Sequence, residues 1–414
     1  MPAMLLTNIK CLLVTHARTS PLRGSELAQL PRIEPAFVRI EGSQIVEFGP
    51  MSALRVMEKP EQTVNLSDRY VLPCWCDSHT HLVFAGSREQ EFVDKIRGLS
   101  YAEIAQKGGG ILNSARLLQN TPEEVLYQQA QHRLEDLKKL GTGAIEIKSG
   151  YGLTLEAELK MLRVIQRLKK EASIPIKATF LGAHAFPPEF QDNREGYIRL
   201  IIEEMLPRIA QEKLADYIDV FCEQGFFTPS ESTQILEAGI RYGLKPKLHA
   251  NQLHNSGGVQ AGIQTGAVSV DHLENIGEVE IQLLAQNPTM ATLLPSAAFF
   301  LRLPYPPARQ LIEAGAAVAI ASDFNPGSSP SGNMPLLLAL SCIQMRMLPE
   351  EAINAATFNG ACAMEVQNEV GSIAIGKRAN LIVTKAMPSL AYLPYAFGSN
   401  LIERVMINGG FVGS

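Results

Sequence analysis

The middle of this chain alternates between two hydrophobic periods, and that alternation limits its fold more than any other feature. Short apolar runs at 71–76, 143–147, 176–181, 217–222, 245–249, 267–271, 290–294 and 317–322 read as strands. Segments with apolar residues three and four apart separate most of them. Eight strands alternating with helices predict a (β/α)8 barrel of the TIM type. A doubly wound open sheet is the alternative, but it ordinarily carries a G-x-G-x-x-G turn after its first strand, and this chain has none there. The clearest helix begins at "TPEEV": Thr121 is expected as N-cap, Pro122 at the first helical position and Glu124 as partner in a capping box. Val125, Leu126, Ala130, Leu134 and Leu137 are expected on its buried face. "LEAELKMLRVIQRLKK" (155–170) predicts a second helix, and "QKGGGIL" (106–112) a flexible loop at the mouth of the site.

The two ends of the chain read differently. "AFVRIEGSQIVEFGP" (36–50) predicts two short strands about the turn Glu41-Gly42-Ser43. "GSIAIGKRANLIVTK" (371–385) and "IERVMINGGFVGS" (402–414) are β-branched runs with Gly-Lys and Asn-Gly turns. The expected organisation is a small β-sandwich domain from residues 1–70 plus 366–414, and a catalytic barrel from 71–365.

Charge and composition narrow the partners. The net charge is −5 and no block of five or more basic residues exists, which argues against nucleic acid and anionic membranes. No run approaches the ~18 uncharged apolar residues of a membrane span. The N-terminal stretch lacks a signal-peptide layout. Six scattered cysteines fit a reducing compartment better than a disulfide framework. A cytoplasmic enzyme acting on a small molecule is the expectation, and a homodimer is compatible with such a barrel.

In a barrel the chemistry lies just past the C-terminal ends of the strands. Five of the eight histidines fall there: His79, His81, His184, His249 and His272. In an extended segment, residues two apart share a face, so His79 and His81 can reach one ion together. His249 and Asp323 can add a third nitrogen and a carboxylate oxygen from across the barrel. Such a donor set suits one Zn²⁺ or Fe²⁺/Fe³⁺ ion per subunit, and the sequence does not choose between them. A lone H-x-H is a weak signal; the same pattern at several strand ends is a strong one. Cys74 and Cys76 are expected in the core.

These residues resemble the amidohydrolase superfamily. The motifs that carry the likeness are "DSHTHLVFAGSRE", "KSGYGL", "FLGAHA", "KLHANQ" and "SDFNPGSSP", spread over most of the chain. The resemblance implies hydrolytic ring opening of the cyclic amide 4-imidazolone-5-propanoate to N-formimidoyl-L-glutamate, a step of histidine degradation. It implies His79, His81, His249 and Asp323 as metal ligands. It places substrate contacts on Arg88, Tyr151, His184, Gln252, Asn325, Gly327 and Ser328. Asp323 and His272 are the expected catalytic pair, with His272 acting as base or oxyanion donor, or simply held in place by Asp271 or Glu274. Arg88 suits a carboxylate through two parallel hydrogen bonds; on its own it reads equally as a loop charge paired with Glu89 or Glu91.

Two positions limit the chemistry. Many superfamily members carry Glu three residues after the fifth-strand histidine, whereas this chain has Gln252, and an amide cannot shuttle a proton at neutral pH. That argues against a guanine or cytosine deaminase. The bridging, carboxylated Lys of two-metal members sits on strand four, and "DVFCEQG" has none, so a single metal is expected. Lys148, on strand two, is expected to be structural.

Overall fold

The computed structural model of the chain describes residues 3–55, 62–99, 103 and 109–413. Eight parallel strands form one sheet whose spatial order is the chain order. They are β1 (Trp75–Asp77), β2 (Thr142–Lys148), β3 (Ile176–Ala183), β4 (Tyr217–Cys222), β5 (Lys245–Ala250), β6 (Ser269–His272), β7 (Met290–Leu293) and β8 (Val318–Ile320). Parallel neighbours need crossovers, and helices supply them. Ile145, Ile147, Leu248 and Val270 face outward into the main core beneath those helices. The alternate positions Glu146, Lys148, Thr179, Asp219, Lys247 and Asp271 are equally buried but polar. The barrel interior is therefore a charged layer, not the usual stack of branched apolar side chains.

The ring closes between its first and last strands. Ser322, just past β8, donates its N–H to Asp77 Oδ1 (2.9 Å) and its hydroxyl to Asp77 Oδ2 (2.5 Å). Beyond that, Asp323 N donates to the His79 carbonyl at 3.0 Å, and His81 N to the Phe324 carbonyl at 2.9 Å. An open doubly wound sheet would leave two free edges here, so the barrel reading holds and the alternative falls.

The chain ends build two further sheets. One is four-stranded, from Met4–Ile9, Ala36–Glu41, Gln44–Pro50 and Gln62–Asn65. The other is six-stranded and joins both ends: Cys11–Leu13, Arg32–Ile33 and Tyr70–Pro73 with Leu381–Thr384, Ile402–Ile407 and Gly410–Phe411. Leu6, Val38 and Ile40 of the first pack on Leu12, Val71, Leu381 and Met406 of the second. Of "GSIAIGKRANLIVTK", only Leu381–Thr384 is strand.

Three local expectations are corrected. The run 71–76 is two strands. Tyr70–Pro73 pairs with Leu381–Thr384, and at Cys74 the chain changes sheets: Cys74 N bonds Asn380 O (3.0 Å) while Trp75 N bonds Gly141 O (2.9 Å). A run buried on both faces carries no period to mark such a switch. The capping box at Thr121 does not form. Thr121 is the C-cap of α2 (Ile111–Asn120), and its hydroxyl donates to Leu117 O, so α3 (Glu123–Lys139) starts from Pro122 without a side-chain cap. Glu124 instead pairs with Arg167 at 2.5 Å. Val125 is exposed; Tyr127 takes its place on the buried face. The helix expected over 155–170 is present as α4 (Leu155–Glu171), capped by Thr154. Of "QKGGGIL", expected as a flexible loop, residues 106–108 lie outside the described residues, while Gly110 is the N-cap of α2 and Ile111 and Leu112 open that helix. Among the described residues, no helix is long and apolar enough to cross a membrane.

His16 sits where the terminal sheets meet the barrel, edge-on to Phe358 at 4.5 Å. Its Nε2 is buried without a hydrogen-bond partner. Burial, then Lys377 and Arg18, push its pKa down to about 4. The folded value lies below the unfolded one, so the neutral ring's contribution is complete above about pH 6.5 and is lost as pH falls toward 4. Denaturant titrations should show the wild type losing more stability than His16→Gln between pH 7 and pH 4, by on the order of 1 kcal/mol because solvent screens the half-buried ring; parallel losses would contradict this.

Candidate metal centre

The four residues expected as ligands come together from three places in the fold. Past β1 the chain stays extended, and backbone bonds to Asp323 and Phe324 on one side and to Lys148 N (2.8 Å, onto Thr80 O) on the other pin it. His79 and His81 therefore project from a fixed ribbon. His249 projects from β5, and Asp323 stands just past β8 at φ +52°. His79 Nε2 lies 3.6 Å and His81 Nε2 3.5 Å from Asp323 Oδ1. His81 Nε2 lies 3.4 Å from His249 Nε2. Donor atoms ~2.1 Å from a shared ion in a tetrahedron stand about 3.4 Å apart, so the spacing fits. His79 Nε2 is buried and makes no hydrogen bond. Packed lone pairs with one unpartnered nitrogen are what a cation would resolve, and the residues fit a metal ion.

Carboxylates behind the histidines fix their orientation. His79 Nδ1 lies 2.6 Å from Asp271 Oδ2, and His249 Nδ1 lies 3.1 Å from both oxygens of Asp219. A carboxylate on Nδ1 holds the proton there and turns Nε2 toward the metal. Lys148 binds both carboxylates, at 2.8 Å from Asp219 and 3.6 Å from Asp271. Lys148 is thus structural, as expected from the absence of a lysine on β4. Burial, with Lys148 and neighbouring histidines, holds His79 well below the usual histidine range; burial, with His184 and His249, does the same for His81. Both are neutral imidazoles, the ligating form. Burial would raise Asp219, but His249 and Lys148 outweigh it and hold the carboxyl well below its usual range.

His272 reaches the same cluster, grouping with His79 and Asp323. Its Nδ1 meets Glu274 Oε1 at 3.3 Å. Of the two partners expected for it, Glu274 is the one; Asp271 serves His79. Burial lowers the His272 pKa, but Glu274 and the nearby aspartates reverse this and raise it overall. Burial also raises Asp323, against the pull of His272 and His249. The Ser328 hydroxyl donates to Asp323 Oδ2 at 3.1 Å, leaving Oδ1 to the histidines.

These groups open into one cavity of about 660 Å³. Arg88, Tyr151, His184, Gln252, Asn325, Gly327 and Ser328 all line it, with His81, His249, His272 and Asp323; His79 lies beneath. Tyr151 rides a loop clamped by Glu158, whose carboxylate accepts the N–H groups of Gly150, Gly152 and Leu153. Gly150, at φ +109°, leaves no room for a Cβ, which would meet His184 Nδ1 at 2.8 Å. His184 Nδ1 bonds Gly150 O, its ring stacks on His81 at 5.3 Å, and burial, then His249, lower its pKa to about 3. Asn325 differs from expectation. Its oxygen accepts the N–H groups of Gly327 (2.7 Å) and Ser328 (2.8 Å), and its NH₂ donates to Asp323 O and Ser328 Oγ. All four hydrogen-bonding positions of the amide are spent on the loop itself.

Arg88 precedes α1 (Glu89–Ile96). The open choice of partner falls on Glu91, which accepts from Arg88 Nε (2.8 Å) and Nη2 (2.6 Å). Nη1 is turned to Gly327, where any side chain would collide with it. The sequence reading missed Asp219 and Glu158; it left Asp271 and Glu274 as alternative partners of His272, and did not foresee that Asp271 pairs with His79. For the strand residues the signal was present, since polar residues at every second place in "EIK", "KLH" and "SVDH" mark the inward face of a strand; Glu158 stands on α4 and carries no such mark.

The sequence model of the amidohydrolase family matches residues 70–412, and the chain belongs to that family. Full-length relatives carry this further. The chain is 56% identical over 409 residues to the imidazolonepropionase of Flavobacterium johnsoniae, covering 99% of both. It is 52% identical over 410 residues to that of Christiangramia forsetii, covering 99% of this chain and 100% of the relative. The chain is thus a hydrolase of the imidazolonepropionase branch. Among solved structures, an adenosine deaminase from Xanthomonas campestris with bound zinc superposes at TM-score 0.70 with 17% identity, covering 99% of this chain and 92% of that one. A triazine hydrolase variant superposes at 0.74 with 16% identity, covering 99% and 94%. These two show the shared fold.

Asp271→Asn should weaken metal binding by about ten- to a hundredfold, because the oxygen that holds the His79 proton is lost. Competition dialysis against a chelator measures it; an unchanged affinity would mean that Asp271 does not orient His79.

Proposed function

We propose that this cavity binds 4-imidazolone-5-propanoate and hydrolyses its ring amide to N-formimidoyl-L-glutamate. The observation that carries the reading is the opening of a buried histidine–aspartate cluster able to hold a metal ion, together with a half-buried guanidinium, into one cavity. The names of the full-length relatives support the substrate. One zinc or iron ion, held by His79, His81, His249 and Asp323, would supply Lewis acidity that brings the pKa of water from 15.7 toward ~7.

The chain's own groups do the rest. Asp323 accepts the proton of the attacking water and returns it to the ring nitrogen as the C–N bond breaks. His272, backed by Glu274, donates to the oxygen of the carbonyl under attack. Arg88 holds the propanoate through its free nitrogen, and Tyr151 and His184 meet the ring. The loop of Asn325, Gly327 and Ser328 closes the floor and keeps Asp323 in place. Gln252 can orient substrate but cannot carry a proton, so a deaminase reading lacks its shuttle. The six free cysteines support a reducing, cytoplasmic setting.

Imidazolone propanoate generated from urocanate should yield formimidoyl-glutamate by mass spectrometry. Chelation should abolish the product, and Asp323→Asn should cut the rate by about a hundred- to ten-thousandfold. Absence of product from a fully metallated sample would overturn the substrate assignment.

A further inference from the structure

We propose that Lys95 is the second cation of the carboxylate-binding end of this cavity and sets its demand for an anionic substrate tail. The proposal rests on the substrate reading above and adds a specificity residue to it.

Arg88 alone does not give that end a net charge. Its guanidinium is paired with Glu91, which is itself buried and anchored through Oε1 to the Gly110 N–H at 2.9 Å. A held Arg–Glu pair offers directional donors while its charges cancel at a distance. Arg88 stands immediately before α1 and Lys95 in its last turn, and both border the cavity. Its Nζ lies 3.5 Å from the Gly327 carbonyl and 5.8 Å from the Phe300 ring centre. Among the described residues it has no carboxylate within ion-pair distance. That long contact to Gly327 leaves at least two of its three donors uncommitted.

Both cations converge on Gly327, Arg88 Nη1 where a side chain on that residue would stand and Lys95 Nζ against its carbonyl. The wall beside them is apolar, formed by Phe92, Ile96 and Phe300. Placing a half-buried ammonium beside a guanidinium costs the fold energy, and burial and Arg88 together push the Lys95 pKa down. An incoming carboxylate relieves both costs, taking one oxygen to Arg88 Nη1 and the other to Lys95 Nζ. In that arrangement Arg88 gives direction and Lys95 gives charge.

Kinetics on the metal-loaded enzyme test this with two substrates, imidazolone propanoate and its uncharged propanamide analogue. Lys95→Met should raise KM for the propanoate roughly tenfold or more, with a smaller change in kcat, and reduce discrimination between the two substrates by a similar factor. Lys95→Arg should restore most of it. Equal effects on both substrates, or an unchanged KM for the propanoate, would overturn the proposal. Calorimetry with glutarate needs no turnover and separates the two failures. If the wild type does not hydrolyse imidazolone propanoate, the substrate reading fails. A glutarate Kd that rises about tenfold in Lys95→Met still supports the clamp, whereas no glutarate binding, or binding indifferent to Lys95, overturns it.

Discussion

Lys148 holds the interior of the barrel together. Its ammonium is fully buried, 2.6 Å from Glu146, 2.8 Å from Asp219 and within reach of Asp271. Glu146 also binds Lys247 and the Thr179 hydroxyl, so neither of its oxygens is idle. Burying such ions costs several kcal/mol each, and the cost is tolerable only when every partner is present. The set is also unbalanced: Glu146, Asp219 and Asp271 face only Lys148 and Lys247. With Asp323 above them, the residual negative charge is aimed at the place where the histidine nitrogens meet. The fold's electrostatics thus call for a cation at the point where the ligand geometry can hold one.

Above that layer, three side chains shape the cavity without facing the reaction directly. Glu158 binds three backbone N–H groups around Tyr151. Asn325 ties its own loop so that Asp323 and Ser328 stay in register. Glu91 joins Arg88 to the start of α2. Each uses a short polar group to fix a segment that hydrophobic packing cannot reach. The catalytic face is therefore rigid at its base and along two walls, as positioning within a fraction of an ångström requires.

The sequence revealed the elements that repeat and concealed those that depend on distant partners. Seven of the eight barrel strands stand within a few residues of their apolar runs, because a buried parallel strand writes itself as a short apolar segment. His79, His81, His249 and Asp323 were legible because strand ends concentrate chemistry. The switch of sheets at Cys74 was not, since nothing in "YVLPCWCD" separates one buried neighbour from another. Thr121 satisfied a capping pattern and closed the preceding helix instead, because that helix had an orphan carbonyl in reach. The partners of Asp271 and Arg88 depended on which carboxylate the folded chain brings near, and local spacing cannot decide that.

The seam between β1 and β8 has a consequence for how the protein comes into being. Asp77 and Ser322 are 245 residues apart along the chain, and the ribbon bearing His79 and His81 is pinned by Asp323 and Phe324, just beyond Ser322. Contacts so remote form late, once the cost of closing the intervening loop has been met by nearer ones. A nascent chain cut short of residue 322 carries His79, His81 and His249 but lacks Asp323 and the backbone partners that pin the first two. The histidine–aspartate cluster is therefore assembled only by a finished ring: the last stave to be made is the one that sets the first two histidines.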